Sequence, residues 1–295
     1  MTAPSTTTEG GRRHQETVDE EEAPFTSPTL DVLTLNVGNP NRERAEQQVN
    51  WLAGRPETVL ILTDIAHSSG CDLIASRFTA AEYDVTYPRP ERGERGVMIV
   101  SRLITQPGPT WVRYLAHRAV SVSVQTDMGP LEIIGLSVPS REARETSTAR
   151  KRDFLAACRA GLPLGCMGRR LIMGDFNVLE ANHVPRYRHF QAFEYGFYSW
   201  LSTVAYRDAF RMLHPRAPEY SWVGSDGNGY RYDHAHMSAK LATALRSCDY
   251  VHEPRTGVRR MTDRSALSLS LALRPIETLP LSVPARAVHA VPALP

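Results

Sequence analysis

The chain lacks the features that place a protein in a membrane or in a secreted, cross-linked scaffold. No run of its 295 residues approaches the ~18 consecutive apolar residues of a membrane span. Its first stretch, MTAPSTTTEGGRRHQETVDEEEAP, has no apolar core and does not read as a secretory signal. Cysteine is sparse: Cys71, Cys158, Cys166 and Cys248 lie far apart and form no CxxC pair. They read as free thiols in a reducing cytoplasm, although an even count leaves disulfides open. There is no Gly-rich phosphate loop, no zinc-ligand spacing and no G-x-S-x-G elbow. Charge of one sign is missing too. Thirty-four Lys and Arg stand against 32 Asp and Glu, for a net charge of +2 and a pI near 8.4. That balance neither implies nor excludes a nucleic-acid partner.

What is present suits a globular domain, with 42% hydrophobic and 22% charged residues. Residues 1–27 are polar, with an acidic run from Asp19 to Glu22, and read as a disordered tail. Residues 275–295 are rich in Pro and Ala without periodicity and read as extended or mobile. Residues 28–274 remain as one domain.

Within it, TLDVLTLN (29–36), TVLILTD (58–64), GVMIVSR (96–102), AVSVSVQT (119–126), LEIIGLSV (131–138) and RRLIMGD (169–175) read as strands. So do YSWV (220–223), YRYDHAHM (230–237) and ALSLSLAL (266–273). The turn at Met128-Gly129-Pro130 makes 119–138 an antiparallel hairpin. Helices are expected from Asn39-Pro40 to Gly54, over 70–80, and over 143–160 with Phe154, Leu155 and Cys158 inward. Hairpins mixed with crossovers argue against a doubly wound parallel sheet. They favour an α/β protein in four layers (α/β/β/α), a two-sheet β-sandwich flanked by helices.

Polar residues gather where strands end. Asn36 and Asp64 close the first two strands, and Asp175 and Asn177 follow RRLIMG. Asp233 lies in YRYDHAHM, and Asp263 precedes the last strand. Taken singly, each is more often a turn former than a ligand. Together at one rim they would form a hard-oxygen site suited to magnesium or manganese rather than zinc. His234 and His236 share one strand face opposite Asp233; no third nitrogen ligand is evident, and a structural role is favoured. His67 reads as a loop or helix-start residue. The stretch PRYRHFQAFEYGFYSW (185–200) would wall a pocket, stack a nucleic acid, or pack as an amphipathic helix. Packing ranks first for Phe190, Phe193 and Trp200, and Arg186 and Arg188 stay open as substrate contacts.

The blocks LNVGN (35–39), VLILTD (59–64), RGVMIVSR (95–102), IIGLSVPS (133–140), LIMGDFN (171–177), YSWVGSDGNGYRYDHAHMS (220–238) and TDRSALSLSL (262–271) resemble, in order, the motifs of the endonuclease/exonuclease/phosphatase family. The resemblance implies a phosphoester hydrolase of the deoxyribonuclease I and exonuclease III type. It would place a divalent metal, Mg2+ or Mn2+, at Asn36, Asp64 and Asp263. Asp175, Asn177 and Asp233 would fall in the catalytic set, and Ser137 on the substrate side. Three positions depart from the family pattern: Asp64 for glutamate, Ser137 for histidine or tyrosine, and Arg264 for the catalytic histidine. Arginine cannot exchange a proton near neutral pH, but it can neutralise phosphate charge and pair with Asp233. The leading expectation is a metal-dependent phosphoester hydrolase acting on a nucleic acid, a nucleotide or a small phosphorylated metabolite. Its rivals are a repurposed member doing non-hydrolytic, metal-independent chemistry on a small organic molecule in a biosynthetic pathway, and an inactive binder. Substrate identity and oligomeric state are not legible.

Overall fold

The computed structural model describes Met1 and residues 28–140, 145–187 and 190–276. The expected tail over 1–27, residues 277–295 of the C-terminal segment, and Arg188 lie outside the described residues.

The chain begins with β1 (Leu30–Asn36), α1 (Arg42–Ala53), β2 (Val59–Ala66), α2 (Ser69–Ala80), β3 (Asp84–Thr86) and β4 (Arg95–Ser101). It continues through β5 (Gln106–Pro107), β6 (Ala119–Thr126), β7 (Gly129–Ser137), α3 (Glu145–Gly161), β8 (Arg169–Asp175), α4 (Ala192–Thr203), β9 (Tyr206–Asp208) and α5 (Ala209–Leu213). Last come β10 (Trp222–Val223), β11 (Gly229–Tyr230), β12 (Asp233–Ser238), α6 (Ala239–Ala242), β13 (Leu245–Val251), α7 (Glu253–Thr256) and β14 (Ala266–Leu271).

Two six-stranded sheets result, in the orders β13-β14-β1-β2-β4-β3 and β5-β6-β7-β8-β12-β9. Each contains one parallel pair, β1 with β2 and β7 with β8, and α1 and α3 provide the crossovers. The expected hairpin is β6–β7, paired from Ala119↔Leu136 to Thr126↔Gly129.

Alternation along the strands sorts the core into three apolar layers. Leu30 and Val32 of β1 face Leu131, Ile133, Leu171 and Met173 between the sheets. Leu33 and Leu35, one residue out of phase, face Leu52, Ile74 and Phe78 of the helices outside the first sheet. Ile134 and Ile172 pack on Phe154, Leu155, Phe197 and Leu201 outside the second. This is the four-layer α/β/β/α arrangement. The sheets approach closely at Gly135, where a Cβ would lie 2.6 Å from Val97 Cγ1 and 2.9 Å from Ile61 Cγ2.

Local signals explain several boundaries. Asn41, rather than Asn39, caps α1, accepting from Arg44 N at 2.9 Å. Ser68 caps α2. The stretch 185–200 contributes α4, begun by Gln191 N donating to Glu194 Oε2 at 2.7 Å. The strand expected over 230–237 is broken: Gly229–Tyr230 pairs with Trp222–Val223 in a separate hairpin, and the chain rejoins the second sheet at Asp233. Past the expected boundary at 274, Pro275 bridges Thr126 and Ile276 N donates to Gln125 O, so sheet pairing runs on to 276.

Gly174 is the residue before the Asp175 that ends β8. Its φ of +149° lies outside the range L side chains adopt, and a Cβ there would meet Leu136 O at 2.1 Å. Gly174→Ala is therefore expected to lower stability by more than about 2 kcal/mol in urea titration. An unchanged midpoint would mean that this strand end is not held as described.

Candidate active site

Strand register gathers the polar residues. On β8, Asp175 lies directly opposite Ser137 of β7 on one side and Asp233 of β12 on the other. From the other sheet, Asn36 Nδ2 donates to Asp175 Oδ2 at 2.8 Å, joining the two sheets at their open end. Asn36 Oδ1 accepts from Gly38 N at 2.9 Å. Asn177, with a φ of 48°, turns back so that its own N–H donates to Asp175 Oδ1 at 3.0 Å and its Nδ2 to Val138 O at 3.0 Å. Asp64 is the extra residue of a bulge in β2, where the register shifts between Thr63 and Ile65. Its φ of 59° aims the carboxylate out of the ladder, a conformation Asp tolerates better than most residues.

Arg264 closes the group. Its Nη1 lies 3.4 Å from Asp233 Oδ2 and its Nη2 3.3 Å from Asp175 Oδ2, with Asn177 Oδ1 at 3.4 Å. The guanidinium stacks 4.9 Å from the centre of the Tyr232 ring. These polar contacts are longer than the roughly 2.7–2.9 Å of a tight charge-assisted bond. Arg264 is thus held in place electrostatically between the two carboxylates. Burial works against its charge, but Asp175 and Asp233 raise its pKa further above the arginine range. Asp233 is fully buried. Burial, and then Asp175, push its carboxyl up to about 7 against the pull of Arg264. Its Oδ1 has no hydrogen-bond partner among the described residues.

A polar cavity of about 160 Å³ opens here, lined by Asn36, Asp64, Ser137, Asp175, Asn177, Asp263 and Arg264 together with Arg95, Arg118, Val138 and Ser140. Asp233 lies behind Arg264. Asp263 is exposed and accepts from Trp222 Nε1 at 2.9 Å. Of the substrate-side candidates Ser137 lines the cavity, whereas Arg186 does not: its guanidinium sits 5.6 Å from the centre of the Tyr195 ring. Sequence reasoning passed over Arg95 and Arg118. Arg95 opens β4 and Arg118 directly precedes β6; these strands run antiparallel to β2 and β7 and so bring their starts to the same rim.

Asp64, Asp263 and the Asn36 carbonyl are hard oxygen donors, the type a hard divalent cation takes, but the ligand atoms of Asp64, Asp175 and Asp263 do not all lie within 4.8 Å of one another. Asp64 Oδ1 takes Arg95 Nε at 3.1 Å, yet burial still pushes its carboxyl pKa up, and Asp175 adds to the rise.

A second polar cluster lies on the outer face of β12. Asp208, His234 and His236 are, among the described residues, the one set of three His, Cys, Asp or Glu whose ligand atoms all lie within 4.8 Å of one another. Asp208 is already engaged: Oδ2 takes Arg231 Nη2 at 2.7 Å and the Tyr198 hydroxyl at 2.9 Å, and Oδ1 caps α5. The arrangement is an ion-pair network under the sheet. The two histidines are fully buried, and burial lowers both pKa values, that of His236 to about 3. Both folded values lie below the unfolded one of about 6.5, so stability is complete above that pH and falls as the unfolded chain takes up protons. His236 alone is expected to cost about 2 kcal/mol at about pH 5. Urea midpoints measured from neutral pH downward should fall more steeply for wild type than for His236→Phe; equal slopes would contradict this.

No protein-family model matches the chain, and no curated protein matches it either. Solved structures do. A 3′ phosphatase, NExo, from Neisseria, bound to a product DNA hairpin, is 21% identical with a TM-score of 0.70, over 82% of this chain and 99% of that one. An AP endonuclease from Archaeoglobus fulgidus is 18% identical with a TM-score of 0.69, over 82% and 99%. The AP endonuclease LMAP from Leishmania major is 15% identical with a TM-score of 0.67, over 88% and 92%. The chain thus has the endonuclease/exonuclease/phosphatase fold that its ordered motifs implied.

Proposed function

We propose that the protein hydrolyses a phosphoester with the help of a divalent cation, Mg2+ or Mn2+. The observation that carries this reading is the convergence of Asn36, Asp64, Asp175, Asn177, Asp263 and Arg264 on one polar cavity. The fold shared with a 3′ phosphatase and with AP endonucleases supports a phosphoester substrate. Asn36, Asp64 and Asp263 would hold the cation. When bound, such an ion lowers the pKa of a coordinated water and neutralises phosphoryl charge.

The protein's own groups have distinct tasks. Asp175 is buried at the cavity floor, and Asn36 and Asn177 fix both its oxygens, so its carboxylate is aimed to take a proton from an attacking water. Arg264, which lines the cavity, would draw a phosphoryl oxygen with its fixed positive charge. Asp233, with its carboxyl near 7, exchanges protons close to neutrality and so adjusts the charge behind Arg264.

The ties of Arg264 to Asp233 and Asp175 also favour a second reading, a repurposed enzyme with non-hydrolytic chemistry on a small organic molecule. The polar lining of the cavity weighs against the apolar cleft that such a role would use. The test is a panel of chromogenic phosphodiesters and phosphomonoesters with Mg2+, Mn2+ or EDTA. The expected result is turnover that EDTA abolishes and that Asp175→Asn lowers by at least about 100-fold. EDTA-insensitive turnover would remove the cation, and no turnover in a folded protein would leave the second reading.

A further inference from the structure

A second cavity, of about 350 Å³, adjoins the first and shares Asp64, Arg95, Arg118 and Ser140 with it. Three guanidiniums line it, on Arg95, Arg118 and Arg150, against two carboxylates, Asp64 and Glu94. Arg118 is the built part: its side chain is 9% exposed, and its Nε has no hydrogen-bond partner among the described residues. Its Nη1 donates to Ser137 O at 3.2 Å, and its Nη2 stands 3.8 Å from Glu94 Oε2. Arg150, on α3, pairs with the same Glu94 oxygen. Glu94 is therefore shared, so that among the described residues one carboxylate is divided between two guanidiniums. His117, 3.7 Å from that oxygen, adds little, since burial lowers its pKa.

We infer that this second cavity binds a second oxyanion of the substrate, a carboxylate or another phosphate, so that the substrate is a small molecule carrying two anionic groups. The inference rests on the phosphoester reading for the first group, which lies at Arg264. Size and charge favour a small molecule over a polymer. The two cavities together match a metabolite-sized site. Three guanidiniums, on Arg95, Arg118 and Arg150, come together in this one pocket.

Matched substrate pairs test the inference on the full chain: glycerol phosphate against phosphoglycerate, and fructose monophosphate against fructose bisphosphate. Arg150→Gln is expected to raise KM for the doubly anionic member roughly 10–100-fold. KM for its singly anionic partner should move less than about twofold, and Arg150→Lys should recover part of the loss. Calorimetric binding of pyrophosphate and of inorganic phosphate gives a readout independent of turnover. Pyrophosphate binding that exceeds phosphate binding in wild type, and loses its advantage in Arg150→Gln, upholds the second site even if no ester is hydrolysed. Hydrolysis without preference within the pairs, or a preference for a short oligonucleotide over every small dianion, overturns the inference and leaves the phosphoesterase reading standing. Absence of both turnover and pyrophosphate binding in a folded protein overturns both.

Discussion

Arg264→Ala is expected to destabilise the fold by about 3–5 kcal/mol at neutral pH, because it strands two buried carboxylates. Asp175 and Asp233 face each other across β8 and β12, and Arg264 is the cation within 3.5 Å of both. The pH dependence has a definite sign. The folded pKa of Asp233 is raised to about 7 from an unfolded value near 3.8, so its contribution is fully present at acid pH and is lost as pH rises toward and through 7. The deficit of Arg264→Ala should accordingly shrink below about pH 5, where a neutral Asp233 no longer needs a partner. Asp233→Asn removes the titrating charge and should stabilise the protein by a few kcal/mol at about pH 8, with little effect at about pH 4. Urea denaturation of the two variants and their double across this range is the measurement. A deficit in Arg264→Ala that stays constant with pH would show that Asp233 is ionised throughout.

The second large effect concerns chemistry. Histidine at position 264 would place a group that exchanges protons near neutrality against Asp233, where arginine offers a fixed cation. If proton transfer limits a phosphoester hydrolase here, Arg264→His combined with Asp64→Glu should raise turnover of a chromogenic phosphodiester by ~10²–10⁴-fold. The longer carboxylate belongs in the same protein, since displacing the cation by one methylene can itself cost ~100-fold. Wild type, both single variants and the double are compared with Mg2+ and with EDTA. A folded double variant no faster than buffer, with the native reaction damaged instead, would favour the repurposed enzyme.

Much of the frame was legible because it rests on local rules. The apolar runs of β1, β2, β4, β6, β7 and β8 read directly as strands, and the turn before Pro130 defined the hairpin. The candidate residues at strand ends were legible as a set. Their mutual placement was not, because it depends on register: nothing local says that Asp233 pairs opposite Asp175, or that Asn36 reaches across from the other sheet. Asp233 was expected inside a continuous strand, whereas the break at Arg231–Tyr232 makes it the first residue of β12. β13 escaped notice because it is an edge strand with a bulge and with Arg246 and Asp249 exposed, so its pattern is largely polar. Arg95 and Arg118 were not legible because nothing local says that an antiparallel neighbour brings its beginning to the rim where β2 and β7 end. A search of strand starts for cations would have found them.

Phosphorus NMR of the products formed from a phosphodiester and a phosphomonoester in heavy-oxygen water, with wild type and with Asp175→Ala, tests whether these residues make one phosphoester-hydrolysing site. Wild type is expected to release a product phosphate carrying one heavy oxygen from solvent, seen as an isotope-shifted resonance, and Asp175→Ala essentially none. No shifted resonance from any ester, or the same resonance from Asp175→Ala, would contradict this.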